Sequence, residues 1–214
     1  MTLNRRQLEQ RLSDPIARPS SDTLARLRRQ LADRADGEGL LDIAFARMAS
    51  PLGELMLAAT PVGIVRLAFD NERRDDVLED LAARISPRLL EAPARLDPAR
   101  RELEEYFAAT RTRFDLPLDL RLSAGFRREV LRATAGIPYA ETGTYRSVAT
   151  AAGSPRAVRA AGTALATNPI PIIVPCHRVL RSDGSIGLYR GGTERKDMLL
   201  RHEVQGANTS HSSG

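Results

Sequence analysis

Ile43-Ala44-Phe45-Ala46-Arg47-Met48, Glu54-Leu55-Met56-Leu57-Ala58-Ala59 and Gly63-Ile64-Val65-Arg66-Leu67-Ala68-Phe69 are three short apolar runs that decide the fold. They are separated by Pro51-Leu52-Gly53 and by Thr60-Pro61-Val62-Gly63. Pro and Gly supply turn geometry, and runs of this length suit strands better than helices. An antiparallel meander is predicted. The apolar period then becomes helical, with Val77, Leu78, Leu81 and Ile85 over 75–85, and Leu103, Tyr106 and Phe107 over 98–108. Strands followed by helices predict a small α+β domain over residues 41–120.

Upstream, residues 1–40 read as a helical extension. Ser21-Asp22 precedes Leu24, Leu27 and Leu31, a capped amphipathic pattern ending near Asp36-Gly37. Downstream, a Pro-containing extended stretch over 114–122 leads into a mostly helical unit, residues 121–204. Phe126, Val130 and Leu131 face inward on a helix over 125–135, which Ile137-Pro138-Tyr139 ends. Thr144 caps a short helix over 145–152, and Gly153 closes it. Ser154 as N-cap and Pro155 at the first helical position are expected to open the next helix, to about Ala166. Two short helices across a Gly-Ser-Pro turn form a helix-turn-helix pattern. The second is lined with small residues, which suits close approach to a duplex and close helix packing equally. A last helix is predicted over 193–203. The Ser-, Asn-, Thr- and Gly-rich residues 205–214 read as a disordered tail.

The chain has 214 residues, with 42% hydrophobic and 28% charged residues. That composition excludes collagen, a coiled-coil rod and wholesale disorder. The longest apolar run, around Ile170–Val174, is far short of a membrane helix, and the N-terminus lacks the apolar core of a secretory signal. A single cysteine allows no intramolecular disulfide and no Cys-rich zinc site, so a cytoplasmic protein without metal or cofactor is expected. Net charge is +5, but residues 121–214 carry +7 and residues 1–120 carry −2. The basic half suits an anionic partner; an arginine-rich solvated surface accounts for the number equally well.

The cysteine lies in Asn168-Pro169-Ile170-Pro171-Ile172-Ile173-Val174-Pro175-Cys176-His177-Arg178-Val179. A lone cysteine is most often a small buried hydrophobe. Here a base and a cation follow it, and such neighbours favour the nucleophilic thiolate. Adjacent side chains of an extended segment point apart, so His177 is expected to reach Cys176 through a water. A base needs an orienting carboxylate. Glu203 is the candidate, because at the end of the last predicted helix its charge opposes the helix dipole.

Pro175-Cys176-His177-Arg178-Val179 resembles the active-site motif of the O6-alkylguanine-DNA alkyltransferases, the methylated-DNA–protein-cysteine methyltransferases. The likeness extends outward. Ile137-Pro138-Tyr139 and Thr144-Tyr145-Arg146-Ser147-Val148-Ala149 look like the opening of that family's helix-turn-helix, and Arg156-Ala157-Val158-Arg159-Ala160 like its recognition helix. Asn168-Pro169 looks like its Asn hinge, and Gly187-Leu188-Tyr189-Arg190-Gly191-Gly192 like its pocket loop. Lys196, Leu199, Leu200 and Glu203 fit its closing helix.

The resemblance implies a ribonuclease-H-like α+β domain before a helix-turn-helix alkyltransferase domain. It implies irreversible transfer of an alkyl group from O6-alkylguanine in DNA, and O4-alkylthymine as a further substrate, to the protein's own cysteine, once per molecule. Cys176 would accept the alkyl group, His177 would be the water-mediated base, Glu203 would orient it, and Asn168 would hold the turn. Tyr145 would help rotate the nucleotide out, and Arg159 would fill the vacated stack. Ser154, Arg156, Ala160 and Gly162 would face the DNA. Pro171, Val179, Tyr189 and Arg190 would form the pocket, with the Arg190 N–H toward guanine O6 and the Cys176 and Val179 carbonyls toward its amine. The implied partner is duplex DNA bound through the minor groove by a monomer, with cooperativity left open and no membrane contact. Leu131, Ala140 and Leu165-Ala166-Thr167 depart from the family pattern, which bears on packing and pocket shape. A binding-only relative would replace the cysteine, which is present. A cysteine hydrolase or redox enzyme would need direct Cys–His geometry or a second cysteine.

Overall fold

A computed structural model describes residues 20–211; residues 1–19 of the expected extension and 212–214 of the expected tail lie outside it. Helix α1, Ser21–Gly37, is capped by Ser20, whose hydroxyl accepts the Thr23 N–H at 3.2 Å. It meets the body through Ala32 and Ala35, against Leu41, Ala44, Leu90 and Ala92, while Leu24, Leu27 and Leu31 stand exposed.

The expected meander forms. Strands β1 (Ile43–Met48), β2 (Leu55–Thr60) and β3 (Gly63–Phe69) pair antiparallel in sequence order. Helix α2, Arg74–Arg84, leads to a short strand the sequence reading missed, β4 (Leu89–Glu91), parallel to β1. The sheet order is β3-β2-β1-β4. Both faces of the sheet are covered, so β2 and β3 are buried at every residue. Met56, Ala58, Val65 and Ala68 meet Val77 and Leu81 of α2 on one face. Leu55, Leu57, Leu67 and Phe69 face the other way, onto helix α3 (Asp97–Phe107) and the C-terminal half, in one continuous core. The outer edge of β3 is capped by loops: the Ile64 N–H donates to Pro117 O at 2.8 Å, and the Leu67 N–H to Pro169 O at 2.8 Å. The second contact ties the sheet to the segment that carries the cysteine.

Helix α4, Phe126–Ala135, buries Val130, Leu131 and Thr134. Strand β5 (Gly143–Thr144) runs into helix α5 (Tyr145–Ala151), where the Thr144 and Ser147 side chains form a reciprocal capping box. Gly153 ends the helix with φ +81°; its N–H donates to Thr150 O and the Ser154 N–H to Ala149 O, both at 2.9 Å. The next helix, α6, spans Val158–Ala166 and does not begin at Ser154-Pro155 as expected. Those two residues form a tight turn, in which the Ala157 N–H donates back to Ser154 O at 2.9 Å. Pro suits the second position of such a turn as well as a helix start, so Arg156 lies in the turn rather than on the helix.

The apolar segment 170–174 is a buried turn, and the extended course expected at Cys176-His177 is not found. The Val174 N–H donates to Ile170 O at 2.9 Å, and Ile172 takes a φ of +72°. Cys176–Arg178 then form one 3₁₀ turn, and strand β6 (Val179–Leu180) pairs in parallel with β5. The final helix, α7, runs from Thr193 to His211. Residues 205–211 are therefore helical, against the expectation of a disordered tail. Packing explains the difference: Gly206 is so close to Tyr139 that an added Cβ would fall 2.5 Å from its hydroxyl. Among the described residues no helix is long and apolar enough to cross a membrane.

Candidate active site

Asn168 follows α6 and organises the cysteine turn. Its side-chain carbonyl accepts the Ile170 N–H at 2.9 Å, and its Nδ2 donates to Val174 O at 2.9 Å and to Cys176 Sγ at 3.2 Å. One fully buried amide thus fixes both ends of the turn and touches the thiol. Cys176 is 2% exposed. Burial pushes its pKa up to about 11, against the lowering effects of Asn168 and the Lys196 charge. The resting group is therefore a protonated thiol, not the thiolate expected from neighbouring His177 and Arg178.

Arg178 does not serve the thiol because its side chain turns to Glu203. Its Nε donates to Oε2 at 2.9 Å, its Nη2 to Oε1 at 2.9 Å, and its Nη1 to Ile137 O at 2.6 Å. His177 Nε2 lies 2.8 Å from Glu203 Oε1, Tyr106 Oη donates to the same oxygen at 2.7 Å, and the Ala140 N–H donates to Oε2 at 3.0 Å. Burial alone would raise the Glu203 pKa, but the bonds from His177 and Arg178 outweigh it and hold the carboxylate at about 2. An ionised Glu203 makes His177 Nε2 the protonated nitrogen, which leaves Nδ1 as the acceptor. Nδ1 is buried with no hydrogen-bond partner among the described residues. Burial also lowers the His177 pKa, so the ring is a neutral base.

Glu203 lies inside α7, two turns before its end, so the helix-dipole argument for it does not hold; its partners define its place. Sequence reasoning missed Tyr106, assigned only to a helix core, and the full role of Arg178. Nothing local to either residue signals a partner so distant in the chain.

The pocket residues Pro171, Val179 and Tyr189 are buried around the thiol segment. The Tyr189 ring lies edge-on to His177 at 6.4 Å and against Phe69 at 5.8 Å, with its hydroxyl buried and without a hydrogen-bond partner among the described residues. Lys196, fully buried, donates to Val179 O at 2.5 Å, and burial brings its pKa down to about 8. Tyr145 opens α5 with its ring 6.0 Å from Lys196 Nζ and its hydroxyl against Gly187, where an added Cβ would fall 2.0 Å away. Gly162 lies beneath the same ring. Arg156, Arg159 and Ala160 are exposed on the turn and first residues of α6, and Ser154 is half-buried beside them. The candidate residues thus fall into a buried cluster around Cys176 and an exposed basic rim, bridged by Tyr145.

Residues 125–205 match the family described as 6-O-methylguanine DNA methyltransferase, DNA binding domain, and residues 43–120 match 6-O-methylguanine DNA methyltransferase, ribonuclease-like domain. A methylated-DNA–protein-cysteine methyltransferase of Methanosarcina barkeri is 38% identical over 72% of this chain and 92% of its own length. The constitutive enzyme of that name from Bacillus subtilis is 39% identical, over 72% of this chain and 91% of its own length. A crystal structure of the Mycobacterium tuberculosis OGT in complex with DNA superposes with a TM-score of 0.67 at 36% identity, covering 76% of this chain and 94% of that one.

Proposed function

The chain belongs to the methylated-DNA–protein-cysteine methyltransferase family, and from that premise we propose that it repairs O6-alkylguanine in DNA by moving the alkyl group to Cys176, once per molecule, after the base is rotated out of the duplex. O4-alkylthymine is a second substrate on the same reading. The observation that carries it is the buried Cys176 thiol held by Asn168, beside a neutral His177 whose free nitrogen is kept an acceptor by Glu203.

The alkyl carbon sits within the base stack, so the base must leave the duplex before a buried thiol can reach it. Arg159, exposed at the start of α6, enters the minor groove and fills the gap, while Tyr145 crowds the rotated nucleotide. Ser154, Arg156, Ala160 and Gly162 make the surface that meets the backbone. In the pocket, Pro171, Val179 and Tyr189 enclose the guanine, and the Arg190 N–H meets O6. His177 Nδ1 then takes the Cys176 proton through a water, with Glu203 stabilising the imidazolium. The Sγ–carbon bond forms as the carbon–O6 bond breaks, and the thiol's proton ends on the released guanine. The product is an uncharged thioether, and no second nucleophile regenerates the thiol. Asn168 Nδ2, 3.2 Å from Sγ, stabilises the charge that develops on sulfur.

Intact-protein mass after incubation with an O6-methylguanine oligonucleotide tests this reading. One added methyl group, on the peptide carrying Cys176, is expected. Repeated turnover, or methylation elsewhere, overturns it.

A further inference from the structure

We propose that Glu72 is a positioning residue for the transfer: from the loop after β3 it clamps Arg190 and so fixes the direction of the backbone N–H that meets guanine O6. This inference rests on the function proposed above, which places that N–H at the leaving oxygen.

Three consecutive residues of the N-terminal half, Asp70-Asn71-Glu72, grip the pocket loop and the helix after it. Asp70 ion-pairs with Arg195, whose Nη1 also donates to Gly191 O at 3.0 Å. Asn71 Nδ2 donates to Arg190 O at 3.2 Å. Glu72 Oε2 accepts from Arg190 Nε at 2.9 Å and forms an ion pair with the same guanidinium, 2.9 Å from Nη2. The same carboxylate ion-pairs with Arg66, a β3 residue only 3% exposed. Arg66 in turn donates through Nη1 to Pro169 O at 3.2 Å, next to Asn168, and Arg190 Nη1 donates to Thr167 O at 3.2 Å. Glu72 therefore sits between two guanidiniums that both reach the hinge carrying the cysteine turn. Burial and the Arg190 charge weaken the hold of Arg66 on its proton, and Glu72 opposes them.

Arg190 is thus fixed at its side chain and at its carbonyl from outside its own loop. Its N–H lies in the peptide plane of the Tyr189 carbonyl, which accepts the Gly192 N–H at 3.0 Å, and that plane hinges on the Arg190 Cα that the two anchors hold in place. Hydrogen bonds weaken steeply as they bend, and a donor stabilises a developing charge only if it is already aimed there. Replacing Glu72 by Gln leaves two cations facing one another and releases the anchor. The chemistry at sulfur is untouched, but the donor loses its direction.

The experiment compares wild type, Glu72→Gln and Asn71→Ala in three single-turnover measurements. These are methyl transfer from duplex O6-methylguanine, methyl transfer from duplex S6-methyl-6-thioguanine, whose sulfur is a poor acceptor, and alkylation of Cys176 by iodoacetamide. Glu72→Gln is expected to slow transfer from the oxygen substrate by about tenfold or more, to slow the sulfur substrate far less, and to leave iodoacetamide alkylation within about twofold. The oxygen-over-sulfur preference therefore narrows, which a merely structural role would not produce. Should Glu72→Gln lose its helical circular dichroism, the exposed Asn71→Ala decides, with a smaller narrowing expected. An unchanged preference in a folded variant overturns the clamp. If wild type transfers no methyl group from either substrate, the proposed function fails and the clamp with it.

Discussion

Tyr106 Oη donates to Glu203 Oε1 at 2.7 Å, across 97 positions of sequence. The tyrosine belongs to α3 in the N-terminal half and the glutamate to α7 at the other end of the chain, so the carboxylate that orients His177 is held by both halves. Burial, followed by the Glu203 charge, raises the Tyr106 pKa well above its ordinary value, so the phenol stays a donor across the working pH range. Tyr106→Phe is expected to destabilise the protein by about 1–3 kcal/mol, as for a lost hydrogen bond to a charged group. Single-turnover methyl transfer should slow only modestly, because Arg178 and Ala140 still hold Glu203. Urea unfolding and transfer rates measured on the same samples check this; a large rate loss with unchanged stability would contradict the orienting role given to the other partners.

Glu203→Gln is a harsher change. The amide keeps the shape but leaves the Arg178 guanidinium, 5% exposed, without its counter-charge. Breaking a buried pair on one side costs about 3–5 kcal/mol. The pH dependence has a definite sign. The folded pKa of Glu203, about 2, lies below its ordinary value of 4.5. Its contribution to stability is therefore fully present above about pH 4.5 and is lost as pH falls toward 2. The acid-side slope of stability between those values should be shallower in Glu203→Gln than in wild type. Transfer should slow by about 10²–10⁴-fold, the range for lost acid–base assistance. Identical acid slopes would show that Glu203 is not held as a low-pKa carboxylate.

The thiol makes a separate prediction. With a pKa of about 11, Cys176 is protonated at neutral pH, so its alkylation by iodoacetamide should climb about tenfold per pH unit through pH 7–10 without a plateau. Because the folded pKa lies above the ordinary 9.0, the linked stability is intact below pH 9 and declines as pH rises toward 11. Asn168→Ala removes the bond to Sγ and both ties across the turn. The thiol titration should move further up, and stability should fall by about 2–4 kcal/mol from unsatisfied buried groups. A plateau near pH 7 in wild type would mean that the thiolate is stabilised by something other than these contacts.

How much of this was legible in the sequence follows from the range of the interactions. The meander was legible because Pro51-Leu52-Gly53 and Thr60-Pro61-Val62-Gly63 are local turn signals. Strand β4 was not, because its three residues become a strand only by pairing with β1, far upstream. Ser154-Pro155 reads equally as a helix start and as a turn, and only the surrounding packing chose the turn. The polar composition after Val204 suggested disorder, yet contact of Gly206 with Tyr139 extends α7. At the site, Cys176, His177 and Asn168 are near neighbours in sequence and their grouping was readable. The direction of Arg178, toward Glu203 rather than the thiol, depends on a partner 25 positions away, and with it went the expectation of a resting thiolate.

The basic rim gives the last prediction. Arg159 is exposed in the first turn of α6, so Arg159→Ala should change stability by less than about 0.5 kcal/mol. Its proposed work is to occupy the gap left by the rotated nucleotide. Rotation costs a few kcal/mol of stacking and pairing, and each 1.4 kcal/mol not offset is about a tenfold slower step. Repair of O6-methylguanine in duplex should therefore slow by about tenfold to a hundredfold in Arg159→Ala. Reaction with the free base O6-benzylguanine needs no rotation and should be nearly unchanged. Affinity for undamaged duplex should fall as salt rises, since the C-terminal half carries a net +7, with a slope slightly shallower in the variant because one cation is gone. Arg156→Ala serves as the comparison. Lying in the turn before α6, it should weaken duplex binding and the salt slope to a similar degree while leaving the rate at saturating DNA intact. Equal losses on duplex and free base would place Arg159 outside the rotation step and make it another phosphate contact.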